Sequence, residues 1–226
     1  MIKSNDQRTG APDVRDPDGP TEDTELRILE AARRVFLRRG TAGARMAEIA
    51  EEAGVNQALL HYYFRSKAGL AEAVFQRAAG DLFPAVVEIL SSEAPLEEKV
   101  RRVVEVELDT LIRHPFLPGY VLSELNHHPG RVEQLIEALA GVRVGEVGPR
   151  MFERLGAQIE AAVDAGRMRS VAPEQFVINL LSLCIFPFAA RPLIAAITRM
   201  DEDEFRAMIR RRRSELPEFF LRGLRP

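Results

Sequence analysis

The sequence predicts an all-α protein, and three observations carry that prediction. Apolar residues recur three and four apart in one segment after another, the spacing of a helical face. No segment sustains the period-two alternation of a half-buried strand. Glycine and proline punctuate the periodic segments, as they do between helices.

Residues 1–20 read as a disordered arm, polar, rich in Pro and Gly, and without periodicity. A first helix starts near Thr21 or Thr24, where Glu22, Asp23 and Glu25 suit the positive end of the helix dipole. Ile28, Leu29, Ala32, Val35 and Phe36 form its apolar stripe, and Arg38, Arg39 and Gly40 end it. After the loop "TAGA", a short second helix places Met46, Ile49, Ala50 and Ala53 on one side and stops at Gly54. Asn56 can cap a third helix, and Ser66 a fourth that runs from Lys67 to about Leu90.

The third helix holds the least ordinary stretch, "LLHYYFRSK". At ~100° per residue, Leu60 and Phe64 share one face, with Tyr63 at its edge. Gln57, Ala58, His61, Tyr62 and Arg65 cluster on the other. Two short helices, a glycine turn and an exposed polar and aromatic second helix make the helix-turn-helix pattern. His61, Tyr62 and Tyr63 then face DNA, where a ring touches a thymine methyl or a sugar and its polar tip reaches a phosphate. Arg45, Arg65 and Lys67 stand at the edges where phosphates would lie. The competing reading is a protein interface, where tyrosine is also favoured.

From Asp23 to Leu70 the chain resembles the DNA-binding domain of the tetracycline-repressor (TetR) family. The likeness rests on "RILEAARRVF", the glycine after it, "IAEEAGV" and "LLHYYFRSK". It implies a helix-turn-helix DNA-binding domain over 21–66 and a helical effector-binding and dimerisation domain over 67–226. It also implies a homodimer on a pseudo-palindromic double-stranded operator, and repression relieved by a small-molecule effector. By position, DNA contacts fall on Arg45, Asn56, Gln57, Ala58, His61, Tyr62, Tyr63 and Lys67. The chain departs from the pattern at Ala44, where the family often has a capping Thr or Ser, at Gln57, often Lys, and at Leu59, often Thr. Gln57 can read adenine bidentately, whereas Leu59 makes only apolar contacts.

The later helices are expected from about Leu96 to Arg113, in "GYVLSELNHHPG", from Val132 to about Ala140 and from Pro149 to Ala165. Two more follow, from Pro173 to about Ile197, kinked near Pro187 and Pro192, and from Glu202 to Glu215. Their apolar stripes supply two further expectations. Leu111, Phe116, Tyr120, Leu122, Leu125 and Met151 would surround the effector, itself expected to be apolar. Leu155, Ile159, Val163, Phe176, Leu180, Leu183 and Cys184 would pair with their symmetry mates in a four-helix bundle. The same stripes also fit a core, and Cys184 in particular reads as a small buried residue.

Composition narrows the rest. A net charge of -3 confines any nucleic-acid surface to a local patch. One cysteine leaves no intramolecular disulfide and no thiolate metal cage, which fits a cytoplasmic location. The polar N-terminus lacks a signal-peptide core, and the apolar run Val177–Ala190 falls short of the ~20 residues of a membrane span. "GVRVGEVG" at 141–148 follows no strand, which argues against a nucleotide fingerprint. His127-His128 has no second ligand pair at helical spacing, so no metal is expected. Glu105, Glu107, Asp109 and Glu124 could pair as acid and base, but most read as surface or salt-bridged; Arg210–Arg213 could touch DNA, but a solvated helix face is the simpler reading. No nucleophile, base and orienting group come together, so the chain is not expected to be an enzyme and needs no cofactor. A constitutive DNA-binding or architectural dimer without a ligand is the alternative to an effector-responsive repressor.

Overall fold

The computed structural model describes residues 22–80, 82–127, 137 and 144–226. The elements are α1 (Glu22–Gly43), α2 (Met46–Ala53), α3 (Gln57–Tyr63), α4 (Lys67–Ala79), α5 (Leu82–Ser91), α6 (Leu96–Arg113) and α7 (Leu117–His127). They continue with α8 (Val144–Asp164), α9 (Pro173–Ala189), α10 (Arg191–Thr198) and α11 (Glu202–Arg222). No strand occurs among the described residues. The arm over 1–20 and the helix expected at Val132–Ala140 lie outside the described residues. The chain divides into two units between Ala71 and Glu72.

In the first unit, α1 buries the stripe read from the sequence: Ile28, Leu29, Ala32, Val35 and Phe36. Gly40 breaks the helical path with φ 68°, a conformation that costs glycine little, and one more turn carries α1 on to Gly43. Ile49 and Ala50 from α2, with Leu60 and Phe64, complete this small core. Polar ties reinforce it. Glu52 on α2 accepts from Arg34 at 2.8 Å and Arg38 at 2.6 Å, and these bonds hold its carboxyl below the ordinary range.

In the second unit, α6 packs on α5, α9 and α11, and α8 packs on α5 and α9. Val100, Val103, Val104, Leu108 and Leu111 line the buried side of α6. Leu155 and Ile159 of α8, Phe176 and Leu180 of α9, and Ile209, Leu216 and Phe220 of α11 add to the unit's buried apolar core. Phe176 meets Phe220 edge-on at 5.1 Å. A buried lysine joins three elements: Lys99 Nζ donates to the Leu90 carbonyl and to Gln158 Oε1, both at 2.7 Å.

Four element boundaries differ from expectation. The helix expected from Lys67 to Leu90 is two helices, because α4 ends at Gly80, where a Cβ would stand 2.7 Å from the Gln76 carbonyl oxygen. α8 begins before Pro149, which sits inside it, and α11 runs on past Pro217 to Arg222. The segment over 173–198 is broken at Ala190 rather than merely kinked, and α9 and α10 bend by 68°. Pro192, at the start of α10, has no N–H to continue the ladder. No single helix among the described residues is long and apolar enough to cross a membrane.

Candidate nucleic-acid interface

The turn between α2 and α3 is set by backbone geometry. Gly54 takes the left-handed conformation (φ 68°, ψ 30°), and Val55 N–H donates to the Ala50 carbonyl at 3.0 Å. Asn56 caps α3, accepting from Leu59 N–H at 2.8 Å. Leu60 is fully buried and Phe64 nearly so, and these two anchor α3 from below. The opposite face is left to solvent: Asn56, Gln57, Ala58 and His61 are exposed, and Tyr62 is 69% exposed. Tyr63 is half-buried and meets Tyr62 edge-on at 5.5 Å. Arg45 and Arg65 are exposed beside this face in sequence.

Two residues have roles that the sequence did not disclose. The N-cap of α2 is Arg45, not Ala44, and no side chain caps it. Ala44 is buried instead. Lys67, expected as a phosphate contact, donates to the Ala42 carbonyl at 2.9 Å and the Ala44 carbonyl at 3.3 Å. Its ammonium therefore ties the start of α4 to the α1–α2 turn, with one donor left for another partner.

The second unit holds the residues expected to meet an effector or a symmetry mate. Leu111, Tyr120 and Met151 are buried, Phe116 is half-buried and Leu122 is exposed; the side chain of Leu125 lies outside the described ones. Tyr120 stacks on Phe75 at 4.6 Å. Most of the stripe expected to form the dimer interface faces inward in the single chain. Leu155, Ile159, Phe176, Leu180 and Cys184 are buried within the chain's own core, while Val163 and Leu183 are half-buried. The apolar side chains that α9 and α11 present outward are Ile178, Phe186 and Phe219, each more than half exposed. Arg210–Arg213 is not simply a solvated face. Arg212 donates to the Leu183 carbonyl at 3.2 and 2.9 Å, and Arg213 pairs with Glu105 and with Asp109. Glu107 departs furthest from expectation, being buried with its Oε2 unpartnered.

A three-helix unit that presents a capped, solvent-facing α3, followed in the chain by a larger helical unit, defines a helix-turn-helix DNA-binding regulator. Residues 28–74 match the family described as "Bacterial regulatory proteins, tetR family". The chain is 33% identical over 137 residues to the HTH-type transcriptional repressor SCO4008 of Streptomyces coelicolor, covering 59% of this chain and 68% of that one. It is 36% identical over 153 residues to the HTH-type transcriptional activator FasR of Mycolicibacterium smegmatis, covering 68% and 67%. With the HTH-type transcriptional repressor NicS of Pseudomonas putida it shares 27% over 186 residues, 79% and 82% of the two chains. The fold is also that of HlyIIR, a hemolysin II transcriptional regulator (TM-score 0.56, 22% identity, 91% and 98% covered). The chain belongs to the TetR family, whose members are DNA-binding transcriptional regulators rather than enzymes.

Proposed function

We propose that this chain is a transcriptional repressor that binds a pseudo-palindromic operator as a homodimer and leaves it when a small molecule occupies the second unit. The observation that carries the DNA half is the solvent face of α3. Gln57, Ala58, His61 and Tyr62 stand exposed on a helix whose other side is fixed by Leu60 and Phe64. A face so rigidly backed and so unlike an ordinary solvated helix suits insertion into a major groove. Two of the three named relatives are repressors, which supports that direction of control. Arg45, Asn56, Tyr63 and Lys67 complete the proposed contact set.

Dimerisation is proposed through the outward side of α9 and α11, where Ile178, Phe186 and Phe219 are exposed. The effector is proposed to reach the interior near Leu111, Tyr120 and Met151, with Phe116 and Leu122 toward its edge; Leu125 stays in the proposed set on its sequence position alone. α4, shorter than the sequence implied, is the covalent link that carries the change from the second unit to the first.

The test is operator binding by fragments selected in vitro. His61→Ala or Tyr62→Ala is expected to cost about 1–3 kcal/mol of specific binding with melting unchanged, since both side chains are exposed. Unchanged binding in both variants refutes the placement of α3 on DNA.

A further inference from the structure

Glu107 stands on the buried side of α6 among Val103, Val104, Leu108 and Leu111. It is only 5% exposed, and its Oε2 is enclosed without a hydrogen-bond partner. Its neighbours in sequence are placed otherwise. Glu105 and Asp109 lie about 200° away round the helix and reach Arg213.

Among the described residues, none of the three helices that pack most closely on α6 supplies the missing partner. α9 brings Cys184, a fully buried thiol whose ionisation is opposed by burial and, after it, by Glu107. α11 brings Arg212, which is engaged by the Leu183 carbonyl, and Arg213, which is engaged by Glu105 and Asp109. The buried residues of α5 are Leu82, Val86, Ile89 and Leu90, all apolar. Burial alone pushes the Glu107 carboxyl up, to about 7.

The contrast with Lys99 on the same helix is direct. That ammonium is as deeply buried, yet two oxygens accept from it at 2.7 Å. A buried polar atom left unsatisfied is costly, and native proteins keep few of them. Thr110, one turn further along the buried side of α6, adds a second enclosed polar side chain.

We propose that Glu107 is the anchor for a protonated amine, and that the effector is an apolar molecule carrying one cationic nitrogen. This rests on the effector reading above and narrows its chemical class. An ammonium gives the carboxylate a hydrogen bond between two opposite charges, whereas an alcohol brings only a neutral donor. The apolar body lies along Val104, Leu108 and Leu111. Entry parts α6 from α9, so the ligand acts on the helix whose outer side carries Ile178 and Phe186.

The experiment titrates the full chain with octylamine, octan-1-ol and octanoate by calorimetry, and follows release of selected operator DNA in parallel. At pH 8 octylamine is expected to bind at least about tenfold more tightly than octanol, and octanoate not at all. The preference for the amine falls as pH drops below 7. At pH 6 binding releases close to one proton, read from the heat in buffers of different ionisation enthalpy. Glu107→Gln keeps its fold and its DNA binding but loses both the amine preference and the proton release. Equal binding of amine and alcohol, a preference that survives Glu107→Gln, or no binding of the amine each overturns the anchor. Alcohol binding that releases operator without amine preference overturns the anchor and leaves the effector reading standing. Ligand binding that never releases operator counts against the effector reading itself.

Discussion

Burial raises the Glu107 carboxyl from 4.5 to about 7, so between those values the folded chain holds a proton that the unfolded chain has released. The stability tied to that proton is complete below pH 4.5, declines as pH rises through 7, and is gone above it. A shift of that size corresponds to about 3 kcal/mol. Glu107→Gln, which cannot ionise, is expected to make the second unit more stable than wild type at pH 8 and no more stable near pH 4.5. Urea unfolding at both values checks this, and an unaltered pH slope in the variant contradicts it. Leu60 and Phe64 inside and His61 and Tyr62 outside were legible, because a run of five large side chains at 100° spacing leaves few choices. Glu107 and Lys99 were not, although both fall on the apolar side of α6. A charged residue on such a stripe is ordinarily read as solvated, and the sequence does not show which neighbours close over it.

At the scale of elements, the α2–α3 turn depends on one backbone conformation and one cap. Gly54→Ala introduces a Cβ at φ 68° and is expected to cost about 1–2 kcal/mol in the first unit. Asn56→Ala removes the bond to Leu59 N–H and is expected to cost about 1 kcal/mol. Both are read by thermal unfolding, and a fall in operator affinity should accompany each. A Gly54→Ala chain that melts like wild type would show that the turn relaxes into another form. These features were visible in advance because glycine and asparagine mark backbone needs directly. The division of α4 from α5 was not, since a single glycine such as Gly80 is also tolerated inside an uninterrupted helix. α9 misled for a different reason. It is apolar on nearly every side, so periodicity could not separate the core row Phe176, Leu180 and Cys184 from the outward row Ile178 and Phe186.

For the whole molecule, those two rows make opposite predictions. Phe186→Glu with Phe219→Glu is expected to yield a folded monomer with weakened operator binding, because both rings are exposed in the protomer. Leu180→Ala is expected instead to destabilise the fold by about 2–5 kcal/mol while the folded fraction still dimerises. Sedimentation at micromolar concentration separates the cases. A double variant that remains dimeric moves the interface elsewhere. In a two-fold dimer the α3 helices must reach half-sites about 34–36 Å apart or a multiple of that. Operators with half a helical turn inserted between half-sites should then be bound poorly.

Lysine is scarce in this chain, at positions 3, 67 and 99, against a large excess of arginine. The Lys67 and Lys99 ammonium groups each sit on two oxygens, the first in one unit and the second in the other. Lys99 is wholly enclosed, so an amine-acylating reagent meets it only when the packing of the second unit opens. Lys67 is partly accessible and reports the α1–α2 turn in the same digest. Acylation followed by peptide mass analysis therefore reads the opening of each unit separately, with no engineered label. The progress of Lys99 acylation with added urea, compared with that of Lys67, tells whether the two units melt together or one before the other.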